Sequence, residues 1–229
     1  MKTYPTGSPS LLKIASHMPR KTDYYFANPL RCPNSLPQKL TVTELCVLIK
    51  DKCFIVYTGA GISASSHVPT MKELEKSLRL PEGTRVFLTE LFLHPENLNA
   101  AFMKFCTAAV RAHPTPAHTA LHRLTQKRNI CILTENIDLL HHKAGSSPLS
   151  PHSEIVRSIS PHDLQEIDYI VCIGLSNDDC GFLAHYKKKN PEGTLIALDL
   201  QKPSYISDKD FMVPGDIQQS VPALTAALL

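Results

Sequence analysis

Short apolar runs recur along the chain at Cys53 to Tyr57, Ile130 to Thr134, Tyr169 to Gly174 and Thr194 to Leu200. They are continuous rather than alternating, as expected of strands buried on both faces. Between them the apolar period lengthens. Val42, Leu45, Cys46 and Ile49 share one face of a helix over Thr41 to Lys50. Leu98, Ala101, Phe102, Phe105, Cys106 and Ala109 do the same over Asn97 to Ala112, the clearest helix of the chain. Further helices are predicted over Ala117 to Lys127, Gly181 to Lys189 and Val221 to Leu229. Met71 to Leu93 is helical but irregular, broken at Pro81-Glu82-Gly83. Asp163 to Glu166 reads as a helix start or turn, and Ser153 to Ile159 as a short strand. Strands alternating with helices predict an α/β fold, a doubly wound, Rossmann-like parallel sheet. Such a sheet binds its ligand beyond the carboxyl ends of its strands.

Composition narrows the class. With 229 residues, 43% of them hydrophobic, the chain can bury one sizeable core. Residues 41–229 are expected to form one nucleotide-binding domain. Residues 1–40, rich in Pro and Ser, are expected to form an arm that is disordered or packed on the surface. No apolar run is long enough to cross a bilayer, so a soluble protein is expected. The net charge of +3 is mild, and Lys187-Lys188-Lys189 reads as the solvated end of a helix. Direct nucleic-acid binding is not expected. Seven cysteines at odd spacings, with no CxxC pair, argue for a reducing compartment, the cytoplasm. A mitochondrial presequence is the alternative for the N-terminal arm, although Pro5, Pro9 and Pro19 interrupt any amphipathic helix there.

The candidate chemistry begins where the first strand ends. Tyr57 to Lys72 reads YTGAGISASSHVPTMK, a strand running into Gly59-Ala60-Gly61 and then toward a helix. Glycines at such a turn let backbone approach an anion, whose charge meets N–H groups at a helix start. The turn lacks the third glycine of GxGxxG and the lysine of a P-loop, so it also fits a tight turn without ligand.

A second segment follows the second strand: Glu135-Asn136-Ile137-Asp138-Leu139-Leu140-His141-His142-Lys143-Ala144-Gly145. Together the two resemble the GAGxSxxSGIPDFR and TQNIDxLHxxAG signatures of the sirtuins, the NAD-dependent protein deacylases. Pro114 to Leu121 resembles the family's PNxxHxxL, and Asp210 to Asp216 its closing strand and Gly-Asp turn. The likeness runs from about Thr43 to Leu224.

The resemblance implies NAD as cofactor and an acylated protein or peptide as substrate. It places Gly59, Ala60, Gly61 and Ser63 at the pyrophosphate and neighbouring ribose, and Ile62 and Ile137 at the nicotinamide. It places Asn136 and Asp138 at the nicotinamide ribose and carboxamide, although either suits a helix N-cap equally well. Gly174 and Ser176 fall on the family's Gly-Thr-Ser, and Asp199 stands near its ribose-binding Asn. His152, seven residues after Gly145, falls near the family's catalytic His-Gly, with Ser153 in place of the glycine. A neutral imidazole suits a general base at neutral pH. His118 and His122, one helical turn apart, lack the intervening acid of HExxH, and no metal site is assigned.

Several positions depart from the family. Met71 and Lys72 stand where it has Phe and Arg, and Glu135 replaces a Gln. Lys72 keeps a positive charge without the bidentate fork, and Glu135 puts a carboxylate near the ribose hydroxyls. Only sixteen residues separate His152 from Tyr169, where most sirtuins insert a zinc module and a peptide-clamping loop. The expectation is therefore a sirtuin-type fold without the small zinc domain. Its expected activity is NAD-dependent lysine deacylation with release of nicotinamide. The alternatives are NAD hydrolysis or ADP-ribosyl transfer, and a non-catalytic module binding NAD or ADP-ribose.

Overall fold

The computed structural model describes residues 30–32, 34, 36–70, 73, 76 and 95–229, with side chains omitted for 95–101. The expected helix over Met71 to Leu93, Lys72 and most of the N-terminal arm fall outside the described residues. Six strands form one parallel sheet: β1 (Gln38–Lys39), β2 (Phe54–Thr58), β3 (Ile132–Thr134), β4 (Tyr169–Ile173), β5 (Thr194–Asp199) and β6 (Phe211–Pro214). Their order is β1-β6-β5-β4-β2-β3, with every pairing parallel. The chain leaves β2 for β3 on one side and returns to β4 on the other, so the winding reverses at β2 and β4. That reversal defines the crevice where an open α/β sheet receives a ligand.

Alternation within the strands builds two cores. Phe54 and Val56, Val171 and Ile173, and Ile196 and Leu198 face one side. There they meet helices α1 (Val42–Ile49), α3 (Pro116–Lys127) and α8 (Ile217–Leu228). Ile55 and Tyr57, Ile170 and Cys172, and Leu195 and Ala197 face the other. Their partners there include Val156 of α5 (Glu154–Arg157), Leu164 of α6 (Pro161–Gln165), and Phe182, Leu183 and Tyr186 of α7 (Phe182–Lys189). Full burial of one such aliphatic or aromatic side chain stabilises by about 1.5–3 kcal/mol. Continuous apolar strands are thus explained by coverage on both faces.

The helix boundaries follow the caps. Thr41 opens α1 in a reciprocal capping box with Glu44. Thr115 accepts from the backbone N–H of His118 at the start of α3, with Pro116 at the first helical position. Helix α2 (Pro95–Arg111) ends against Lys143, the last residue of α4 (Leu140–Lys143). The Lys143 ammonium donates to the carbonyls of Ala109, Val110 and Ala112 at 2.7, 2.8 and 2.9 Å, a cation at the negative end of the helix dipole.

Three expectations need correction. Ser153 to Ile159 does not form a strand: the Ser153 hydroxyl caps Val156 N–H and starts α5. The last helix begins at Ile217 rather than Val221, because Asp216 accepts from Gln218 N–H and Pro222 is carried inside the helix. Gln38–Lys39 adds an edge strand beside β6 in a segment too polar to be read as one.

Candidate functional site

The carboxyl ends of β2, β3 and β4 meet at the crevice. After β2, residues Ala60–Ser66 wind into a 3₁₀ turn that closes on His67 in the left-handed region, at φ 58°. The glycines of this turn are accounted for by the protein itself. Gly59 N–H donates to Ile173 O at 3.1 Å and Gly61 N–H to Gly174 O at 2.9 Å. A Cβ on Gly61 would lie 2.8 Å from Gly174 Cα, and one on Gly59 would lie 2.7 Å from Gly174 O. Gly174 sits at φ +58°, and its own Cβ would lie 2.5 Å from Ile62 N. Gly59, Gly61 and Gly174 therefore let the loop after β2 lie on the loop after β4. This packing accounts for glycine at these positions independently of any phosphate.

Beside that contact, three sequence-predicted residues converge. Ser63 Oγ donates to Asp138 Oδ2 at 2.6 Å. Asn136 Nδ2 donates to Gly59 O at 3.1 Å and to Ser63 Oγ at 3.3 Å. The other Asp138 oxygen accepts from Leu140 N–H at 2.9 Å, so the carboxylate both holds the α4 turn and fixes Ser63. Ser63 and Asp138 are buried, Asn136 and Ala60 half-buried. Ile137 is 67% exposed at the lip of this group, whereas Ile62 is fully buried in the core. The structure thus separates the two isoleucines assigned to one pocket. Ser176 is exposed beyond β4, and Asp199, half-buried at the carboxyl end of β5, accepts from Gln201 N–H.

The group rests on a polar layer. Thr58 Oγ1 meets Thr134 Oγ1 at 2.8 Å and His141 Nε2 at 2.9 Å. His141 stacks edge-on against His118, ring centroids 4.6 Å apart. His118 Nδ1 lies 2.8 Å from Thr115 Oγ1, which reaches Ile62 O at 3.2 Å. Burial lowers the pKa of His118 to about 4 and that of His141 to about 3. Both are neutral structural imidazoles at neutral pH, and among the described residues no group of side chains could hold a metal ion.

A second chain of polar groups lies across β2. Tyr57 OH donates to Glu135 Oε1. Glu135 lies near Cys180, and Cys180 Sγ lies 3.1 Å from His152 Nε2. Burial raises the Glu135 pKa to about 7, against the lowering effect of the Tyr57 hydrogen bond. Burial, then the nearby Glu135, pushes the Cys180 thiol up. Burial, then Arg157, lowers His152, so its ring is neutral at pH 7. The sequence reading missed Tyr57 and Cys180. Cys180 carried no motif, since it stands just before α7 in a loop unlike the family's. Asp178 in the same loop accepts from Leu183, Ala184 and Leu30 N–H and serves to anchor α7.

Residues 59–157, which include Ser63, Glu135, Asn136, Asp138 and His152, match the sequence model of the Sir2 family. The chain's match to the NAD-dependent protein deacetylase 1 of Pyrobaculum aerophilum is 28% identical over 101 residues, 44% of this chain and 40% of that protein. An NAD-dependent protein deacylase of Pyrococcus furiosus is 34% identical over 114 residues, 48% and 46% of the two chains. The match thus spans less than half the length of these relatives. A solved Sir2 homologue–NAD complex superposes with a TM-score of 0.64 at 17% identity, covering 84% of this chain and 96% of that one. The chain therefore shares the Rossmann-like fold of that Sir2 homologue. A cavity of about 990 Å³ lies elsewhere, at the amino ends of β2 and β3 between Lys50, Arg128, Ile132 and Ile159.

Proposed function

We propose that the chain is an NAD-dependent lysine deacylase whose dinucleotide lies across the β2–β4 crevice. The observation that carries this reading is the bonded group Gly59–Ser63–Asn136–Asp138, set where the winding of the sheet reverses. Its donor set fits a dinucleotide. Asn136 offers an amide at the cleft, Asp138 a fixed carboxylate, and Ile137 an exposed apolar lip. Ser176 and Asp199 lie farther along the carboxyl edge, where ribose hydroxyls would find acceptors. Lys72 would supply positive charge to the pyrophosphate.

NAD supplies a nicotinamide leaving group and an electrophilic ribose carbon. The residues orient the ribose and carboxamide through Asn136 and Asp138, and the neutral His152 accepts a proton from a ribose hydroxyl. An acylated lysine supplies the acyl oxygen that attacks the ribose carbon.

Calorimetry with NAD and ADP-ribose, together with nicotinamide release with and without an acetyl-lysine peptide, tests the reading. Binding and peptide-dependent release are expected. Asp138→Asn should fold yet release nicotinamide roughly 10²-fold more slowly, since it loses the charge facing Ser63. Peptide-independent release would identify NAD hydrolysis instead. Binding without release in either condition would leave a non-catalytic NAD-binding module.

A further inference from the structure

The assigned base does not face open space alone. His152 Nε2 lies 3.1 Å from the half-buried Cys180 sulfur, and Cys180 in turn lies near Glu135, whose neighbour Asn136 belongs to the dinucleotide group. A thiol with an imidazole nitrogen at hydrogen-bonding range is the arrangement of an activated nucleophile. The two polar chains meet at the Glu135–Asn136 peptide, where Glu135 N–H is fixed by Thr58 O at 3.1 Å. They lie at the ends of adjacent parallel strands, about 4.8 Å apart in a sheet.

We propose that Cys180 is an internal acceptor of the ADP-ribosyl group of NAD, with His152 as its base. The proposal rests on NAD occupying the β2–β4 crevice. The Cys180 sulfur forms a bond to the anomeric carbon of the nicotinamide ribose as the bond from that carbon to the nicotinamide nitrogen breaks. The electron pair of the breaking bond neutralises the nicotinamide, which leaves. The thiol proton passes to His152 Nε2. One S-glycosidic bond replaces one N-glycosidic bond, and nothing is oxidised or reduced.

The surroundings suit this role. Burial keeps the sulfur protonated at rest, so it needs a base, and His152 is neutral and adjacent. The carbon attacked carries developing positive charge, for which a thiol assisted by a base is sufficient. Glu135 keeps the thiol from ionising in the absence of ligand.

Intact-mass and peptide-mapping spectrometry of the full chain incubated with NAD, without acyl-peptide, tests this. One ADP-ribosyl group on Cys180 is expected, resistant to hydroxylamine and removed by mercuric ion, as an S-glycoside is. Cys180→Ser and Cys180→Ala should lose the adduct, and His152→Gln should slow its formation by roughly 10²-fold or more. A second readout needs no turnover: ADP-ribose, which lacks the leaving group, should slow hydrogen exchange of the backbone amides around Cys180 while leaving those around exposed Cys53 unchanged. NAD that binds by calorimetry and releases nicotinamide without labelling Cys180 overturns the proposal alone. NAD that does not bind overturns the crevice assignment as well. A label on another residue, or one that hydroxylamine removes, also overturns it.

Discussion

Gly61 and Gly174 touch backbone to backbone: Gly61 N–H donates to Gly174 O at 2.9 Å, and neither α-carbon has room for a side chain. Gly174 also adopts φ +58°, a conformation that L side chains rarely take. Gly61→Ala is expected to destabilise the chain by roughly 1–3 kcal/mol through forced backbone displacement. Gly174→Ala should cost more, because strain at positive φ adds about 1 kcal/mol. Denaturant unfolding measures both. A Gly61→Ala protein with unchanged midpoint would mean the two loops are free to separate. Loss of NAD binding in a Gly61 variant is accordingly a consequence of a displaced loop and says nothing by itself about phosphate contact.

Glu135→Gln separates charge from shape in the second polar chain. The carboxyl is raised from an ordinary 4.5 to about 7 in the folded state, by burial first. The groups facing it are Tyr57 from β2, Asp178, Asp179 and Cys180 from the loop after β4, and His152 beyond Cys180. Between pH 4.5 and 7 the folded chain holds a proton that the unfolded chain has lost. Stability therefore falls as pH rises through this window, by about 1.4 kcal/mol per unit, and is then level with respect to this group. Glu135→Gln should remove that slope and melt higher than wild type at pH 8. A variant that tracks wild type across the window would place the Glu135 proton elsewhere.

The paired imidazoles act with the opposite sign. His118 and His141 are held neutral by burial down to about 4 and about 3, while an unfolded histidine protonates near 6.5. The unfolded chain then binds more protons below pH 6.5, so stability is lost as pH falls, by about 1.4 kcal/mol per unit for each ring. His141→Gln, which can still meet Thr58, should flatten the acid limb of the stability curve by one proton's worth. Equal acid limbs in the variant and wild type would show that the pair is not the acid-sensitive element.

Much of this was legible in the sequence because it was written in local patterns. The apolar runs located β2, β4 and β5 where the structure has them, and continuous hydrophobicity correctly implied cover on both faces. Asn136 and Asp138 were readable because they lie two and four residues beyond the end of β3. Ser153 to Ile159 was misread because its apolar residues Ile155, Val156 and Ile159 suit a strand or a short helix, and only the Ser153 cap decides between them. Cys180 was illegible for a different reason. Its contact with His152 spans 28 residues and depends on how two loops fold over β2 and β4, which no spacing records. The glycine turn was located by its pattern, but its contact with Gly174 was not legible, since that residue lies more than a hundred positions away.

His152 carries the last prediction. If its neutral imidazole takes a proton from the ribose hydroxyl during deacylation, His152→Ala should slow that reaction by about 10²–10⁴-fold while NAD binding is retained. Nicotinamide exchange in the presence of acyl-peptide should suffer less, because the glycosidic bond breaks before the proton moves. His162→Ala, an exposed histidine at the start of α6, should leave both rates unchanged. The contact with Cys180 adds a further expectation: Cys180→Ala leaves His152 without its sulfur neighbour and open to the ribose hydroxyl. That variant should deacylate at least as fast as wild type. Steady-state rates for the three variants measure this directly. A His152→Ala enzyme that deacylates like wild type would put the base on another residue. A Cys180→Ala enzyme as slow as His152→Ala would mean that the sulfur positions the imidazole for deacylation.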